Sequence, residues 1–284
     1  MPHSRRSMTE FFSDNIMVDL VDIGANPVDG DPPYKSLLET GQVQLVGFEP
    51  NLEALEILNK NKGENEIYLP HAVYDGLEHE LKICAIQGMT SLLEPNMELL
   101  SQIHGFNEWG VVVDRVPTST VRLDDVKEIE NIDFLKIDIQ GGELEVFRHG
   151  VERLKDCLVI QTETEFLPMY KDQPLFSEVE QFLRSQGFLF HRVDALSSRP
   201  LIPMLADGDI RKGISQVIWT DAVFVKDFLK FDQLSITKLK KLSIILHDVY
   251  GSYDLVLRAL MACDGKSGSS YAQKYAEFLS EPSP

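Results

Sequence analysis

The sequence predicts an α/β fold: a mostly parallel sheet that ends in an antiparallel strand pair, helices on both faces, and a helical C-terminal extension. Three observations predict it. Short apolar runs ending in turn residues alternate with leucines at helical spacing, the pattern of strands buried on both faces beneath crossover helices. Two late strands, "FLFHRV" (188–193) and "QVIWTDAVFV" (216–225), have no evident helix between them, so they close the sheet as an antiparallel pair. Beyond residue 230 only helical spacing remains.

The elements follow in order. "IMVDLVDI" (16–23) and "QVQLVGF" (42–48) read as buried strands, with a short helix in "PYKSLLET" closed by Gly41. Leu52, Leu55 and Leu58 mark a helix over 51–60 that Asn51 caps. "EIYLPHAV" reads as one third strand. The middle, 76–128, is irregular: "HELKICAI" and "GVVVDRVPTSTVRL" supply strands, and 88–110 is an inserted loop with a short helix. Regularity returns with a strand over 132–139, then "GELEVFRHGVERL" as a helix with Leu144, Phe147, Val151 and Leu154 along one stripe. A strand over 157–163 and a helix ending at Gly187 complete the sheet's supports. The tail divides into three helices, with "DGKSGSS" as a flexible link before the third.

Charge and cysteine content exclude some functions. Lys and Arg number 27 against 45 Asp and Glu, a formal charge of −18 that repels phosphate backbones, so nucleic acid is not an expected partner. Cys84, Cys157 and Cys263 are few, odd in number and far apart, which points to reduced thiols in a cytoplasmic protein. No apolar run has membrane-spanning length, and "MPHSRRSMTE" is followed by no apolar stretch, so no secretory signal is expected.

The first strand ends in "DIGAN", Asp22 to Asn26, and the second ends at Glu49, 25 residues after Gly24. In open α/β sheets ligands bind beyond the carboxyl ends of the central strands, and an acid ending the second strand accepts ribose hydroxyls. G-x-G-x-x-G is absent, and Asp29 and Asp31 would oppose a diphosphate. An adenosyl ligand with a positive centre fits better, and S-adenosylmethionine has both properties. A tight turn with a capping carboxylate is the plain alternative.

Seven pieces occur in order: "DIGAN", "GFEPN", "HAVYDG", "GMTSLLEP", "VRLDD", "FLKIDIQGGELEVFRHG" and "QTETEFLPMY". With them the chain, over about residues 18 to 170, resembles the FkbM-type methyltransferases, which use S-adenosylmethionine and have a Rossmann-like methyltransferase sheet. The resemblance implies that Asp22, Gly24, Ala25 and Asn26 line the methionine end of the cofactor. It implies that Glu49, beside Pro50, holds the ribose, that His71 and Ala72 flank the adenine, and that Asp138 lies near the sulfonium and the acceptor. The order of elements along the chain divides it into a methyltransferase domain over 1–228, with an inserted loop region near 76–128, and a helical extension over 229–284 packed on the same domain.

Methyl transfer to a hydroxyl calls for a base, or a metal, that removes the proton. Asp138, Glu163 and Glu165 are the acids at the strands' carboxyl ends and the candidate catalytic residues. Period two sets Lys136 on the face of Asp138, and Glu163 on that of Glu165; Lys136 pairing with a carboxylate as a support is the plain reading. The seven histidines show no ligand spacing, and no metal is expected. No G-x-S-x-G occurs, and Cys157 sits in an apolar strand as a core residue. Met89, Phe106 and Trp109 in the insertion either form a lid or anchor the loop. Tyr271, Tyr275, Phe278 and Leu279 form a stripe that packs on the domain or joins two copies of the chain, which leaves a homo-oligomer open.

The function expected is O-methylation of a hydroxyl on a small-molecule or carbohydrate acceptor. A nicotinamide-dependent oxidoreductase and a non-catalytic S-adenosylmethionine-binding module are the alternatives.

Overall fold

The computed structural model describes residues 6–26 and 30–280. Pro27 and Asp29 of the first loop, on which part of the ligand argument rests, lie outside the described residues. The strands are β1 (Val18–Ile23), β2 (Val43–Phe48), β3 (Glu66–Leu69), β4 (Ala72–Tyr74), β5 (Glu78–Cys84), β6 (Val112–Arg122), β7 (Phe134–Ile137), β8 (Val159–Glu165), β9 (Phe188–Ser198) and β10 (Val217–Lys226). Seven form one sheet in the order β3-β2-β1-β7-β8-β10-β9, parallel except that β10 runs against both its neighbours. The strand order reverses between β1 and β7, where such sheets place their ligands.

Period two divides the core between the two faces. Val18, Leu20 and Phe134 face the helices α8 (Ile236–Asp248) and α9 (Tyr253–Ser267), meeting Leu239, Leu242 and Leu260. Val21, Ile23 and Ile137 face α5 (Glu143–Arg148) and α7 (Phe176–Ser185), meeting Leu144, Phe147 and Leu183. A third helix, α10 (Tyr271–Ser280), packs Tyr275 against the same core as α8 and α9.

Several elements differ from the pattern expected. "EIYLPHAV" is two strands, because Pro70 offers no N–H to a ladder; β4 leaves the main sheet and pairs with β6, which also pairs with β5. The stripe over 143–154 is two helices, α5 and α6 (Val151–Leu154), broken where Gly150 lets the chain approach Leu123. A Cβ there would lie 2.7 Å from the Leu123 side chain. The strand expected over 157–163 runs to Glu165, so Glu163 lies inside β8 and Glu165 ends it. Asp264 to Ser267, expected in a flexible link, continue α9. The helix over "PYKSLLET" is a single turn, α1 (Lys35–Leu38), and the helix after the second strand is α2 (Leu52–Asn61).

Candidate active site

Pairing in register builds the site. Asp22 of β1 stands opposite Lys136 of β7, Lys136 opposite Gln161 of β8, and Glu163 of β8 opposite Asp221 of β10. Extending the register one step past its last pairs, Ile23 with Ile137 and Ile137 with Thr162, brings Gly24, Asp138 and Glu163 level as one rung, and Glu163 pairs with Asp221. Parallel pairing thus gathers acids that lie more than a hundred residues apart.

Gly24 has φ +82°, and a Cβ there would lie 2.0 Å from the carbonyl oxygen of Asp138. The close approach that this glycine permits is of the chain to itself, holding the first loop against the end of β7. Gly24 and Ala25 both donate their N–H to the Phe48 carbonyl at 3.0 Å, and Asp138 donates its N–H to Ile23 at 3.0 Å. The loops after β1, β2 and β7 are therefore one hydrogen-bonded unit.

Asp22 is 2% exposed. Its Oδ2 accepts from the Tyr34 hydroxyl, and its Oδ1 lies 3.2 Å from the Lys136 ammonium. Lys136 also donates to the Gly24 carbonyl at 3.1 Å. Burial alone would push the ammonium down, but the carboxylates of Asp22 and Asp138 hold it above its usual range. The supporting role expected for Lys136 is what the geometry gives it.

Glu49 is 5% exposed, and its Oε1 accepts from the Asn51 N–H at 2.7 Å. Burial pushes its carboxyl up, while the Asn51 N–H and the Asn26 side chain favour the charged form. Asn51 caps α2 as expected, its Oδ1 accepting from Glu53 N at 3.0 Å and Ala54 N at 3.1 Å. Pro50 is exposed at the strand's end. His71 and Ala72, half-buried beyond β3, lie at the same edge, fastened by the Glu49 N–H to the Leu69 carbonyl at 3.0 Å. His71 also lines a cavity of about 310 Å³ with Thr120, Arg122 and Val126.

The other side of the edge is acidic. The Gln140 amide Nε2 donates to Asp138 Oδ1 at 2.9 Å and to Glu163 Oε2 at 2.7 Å. Glu143 accepts from the N–H groups of Ile139 at 2.9 Å and Gly141 at 3.2 Å, which fixes the turn after β7. Burial pushes Glu163 well above the usual carboxylate range, and Asp138 and Glu165 add to the shift. Burial does the same to Glu165, helped by Glu143. The sequence reading missed Gln140, Glu143 and Tyr34. The first two sit in the quoted "IQGGE", whose paired glycines after a strand end signal a tight functional turn; no local pattern announces Tyr34.

The insertion carries two single-turn helices where one was expected, α3 (Met97–Leu100) and α4 (Phe106–Trp109), and is anchored. Met89 and Phe106 are buried with Tyr170 and Ile218, and the Phe106 ring lies 5.0 Å from Trp109 and 6.1 Å from Trp219. Among the described residues, no group of three or more His, Cys, Asp or Glu side chains is placed to hold a metal ion, and no helix is long and apolar enough to cross a membrane. Cys84, Cys157 and Cys263 are free and buried.

An adenosyl cofactor with a cationic centre fits these residues. Asp22 Oδ1 is buried with an ion-pair contact but no hydrogen bond, and the rung beside it is carboxyl-rich and suits a cation. The sheet order and the acids at its switch point are those of a Rossmann-like methyltransferase. The Methyltransferase FkbM domain matches residues 22–190, well over half the chain, and the chain belongs to that family. It is an S-adenosylmethionine-dependent methyltransferase, and the oxidoreductase alternative falls away. Among solved structures it is similar to the magnesium protoporphyrin IX methyltransferase of Synechocystis PCC 6803 with bound SAM, at 8% identity and TM-score 0.38, over 78% of this chain and 74% of that one. It is also similar to TYW2 of M. jannaschii in complex with AdoMet, at 16% identity and TM-score 0.34, over 76% of this chain and 72% of that one. No curated protein sequence matches the chain.

Proposed function

We propose that the chain methylates a hydroxyl on a small-molecule or carbohydrate acceptor, with Asp138 as the base. The observation that carries this is the division among the three candidate acids. A base must hold a lone pair free of a proton, and burial pushes the carboxyls of Glu163 and Glu165 well above their usual range. Asp138, just past β7, is the remaining candidate of the three.

Asp22, Gly24, Ala25 and Asn26 would hold the methionine end of the cofactor, Glu49 the ribose, and Pro50, His71 and Ala72 the adenine. When bound, S-adenosylmethionine supplies an electrophilic methyl group. Asp138 takes the acceptor's hydroxyl proton; Lys136 pairs with Asp22 beside it. Glu163 and Glu165 shape the acceptor side. The methyltransferase unit ends near residue 228, and residues 229–284 are an extension of the same domain, a reading supported by the core that α8 and α9 share with β1 and β7.

The test begins with calorimetry and thermal unfolding against S-adenosylmethionine, S-adenosylhomocysteine, NAD and NADP. Adenosyl ligands at 100 times their dissociation constants should add about 2.7 kcal/mol of stability, and nicotinamides none. Labelled methyl transfer to a panel of hydroxyl compounds then identifies an acceptor. With it, Asp138→Asn should lose about 10²–10⁴ in turnover at saturating cofactor, and because Asp138 also faces the sulfonium it should bind S-adenosylmethionine, but not S-adenosylhomocysteine, more weakly. Turnover kept at saturating cofactor with affinity lost would make Asp138 a support, and an acceptor nitrogen or carbon would overturn the hydroxyl.

A further inference from the structure

We propose that Gln140 is a positioning residue: its side-chain amide sets the orientation of Asp138 by bridging it to Glu163, and ties both acids to the inserted segment. The inference rests on the reading that Asp138 faces the cofactor's cation.

Four contacts converge on this one residue. Its Nε2 has two hydrogens, and both are used, on Asp138 Oδ1 at 2.9 Å and Glu163 Oε2 at 2.7 Å. Its Oε1 accepts from the Tyr170 hydroxyl at 3.1 Å, and its backbone carbonyl accepts from Ser91 Oγ at 2.7 Å. Tyr170 is fully buried in the core that anchors the insertion, and Ser91 belongs to the insertion and is 2% exposed. The hydroxyl at one end and two carboxyls at the other fix which way the amide points.

The backbone is held in an unfavourable conformation to achieve this. Gln140 has φ +61°, the left-handed region that a non-glycine residue adopts at a cost. Gly141, next in the chain, is itself at φ +98°, so the turn takes two successive left-handed positions and only the second is glycine. A residue that only made the turn would be better as glycine; the side chain is what a glycine would lack. Without the amide between them, Asp138 and Glu163 would face each other across the rung, and Asp138 would be free to turn toward Glu163, away from the ligand.

The test uses two variants of the whole chain, Gln140→Gly, which relieves the backbone, and Gln140→Met, which keeps the bulk and removes the polar ends. Both are titrated by calorimetry with S-adenosylmethionine, which carries the cation, and with S-adenosylhomocysteine, which does not. Loss of Asp138's orientation should weaken S-adenosylmethionine about tenfold or more in both variants and leave S-adenosylhomocysteine within about threefold. Parallel loss of both ligands would make Gln140 a structural turn residue and overturn the proposal, as would unchanged affinity for both. A wild-type chain that binds neither ligand would instead overturn the parent reading, and that result appears before any variant is made.

Discussion

The carboxyl edge of the sheet is built in two ways. On the side of β1 and β2, each acid is answered close by: Asp22 by the Lys136 ammonium and the Tyr34 hydroxyl, Glu49 by the N–H of Asn51 two residues on. On the side of β7 and β8, Asp138 and Glu163 share the Gln140 amide, Glu143 takes two backbone N–H groups, and Glu165 is buried at the strand's end. A cation beside a carboxylate favours its charged form, whereas burial and neighbouring acids push Glu143, Glu163 and Glu165 up. One side therefore sets an acid against a counter-charge, and the other crowds raised acids around Asp138.

The sharpest way to break this contrast is to remove the cation. Lys136→Met leaves the buried Asp22 charge unpaired, and loss of one member of a buried pair costs about 3–5 kcal/mol. Denaturant unfolding should show that loss, and the double variant with Asp22→Asn should recover most of it. A single variant within about 1 kcal/mol of wild type would mean that the first half does not depend on its counter-charge.

The next effect belongs to the crowded acids on the side of β7 and β8. Burial pushes Glu143 from the ordinary 4.5 up to about 7. A raised acid keeps its proton in the folded state after the unfolded chain has released it. Stability is therefore fully present below about 4.5, falls as pH rises toward about 7, and is level above. The drop is on the order of 3 kcal/mol for this group, and Glu163 and Glu165 contribute with the same sign. Glu143→Gln keeps an acceptor for the Ile139 and Gly141 N–H groups and removes the titration. Its unfolding free energy should vary less between pH 4.5 and 7 than that of wild type. An unaltered slope would place the protons elsewhere.

The two halves also differ in how far the sequence reveals them. "DIGAN", Glu49 and the Asn51 cap lie within a few residues of the strand ends that position them, so spacing alone finds them. Asp138 and Glu163 are visible as acids ending strands, but their union is not: it depends on parallel register across β7 and β8 and on Gln140, an ordinary polar residue until its φ and partners are known. Tyr34 reaches Asp22 from a loop with no periodic signal. The strand "EIYLPHAV" misled for a related reason, since its apolar pattern is continuous and only Pro70 marks the place where the chain changes sheets. Local chemistry is legible, and long-range pairing is not.

A smaller effect sharpens the contrast on the side of β1 and β2. Glu49→Ala should weaken S-adenosylmethionine and S-adenosylhomocysteine alike by roughly 1.5–3 kcal/mol, because both carry the ribose. Thermal stability without ligand should hardly change, since burial already disfavours this carboxylate in the folded state. Equal affinity in calorimetry would remove Glu49 from the ribose site.

The smallest effects come as a matched pair that sets local against long-range support. Asn51→Ala deletes two capping bonds that span two and three residues, to Glu53 N and Ala54 N. Ser91→Ala deletes one bond to the Gln140 carbonyl across 49 residues and one to the Leu93 N–H. Each should cost about 1 kcal/mol of stability, because the groups lost are of similar number and kind. Their effects on ligand should diverge. The α2 cap can fray without moving Glu49, whose Oε1 is held by the backbone N–H of Asn51 rather than by its side chain, so cofactor affinity should stay at the wild-type level. Ser91 holds Gln140, which in turn holds Asp138, so its loss should weaken S-adenosylmethionine about two- to fivefold with S-adenosylhomocysteine spared, within what one loosened hydrogen bond supplies. Calorimetry on both variants with both ligands measures this, and equal changes in the two variants would erase the distinction between a half built locally and a half built across the chain.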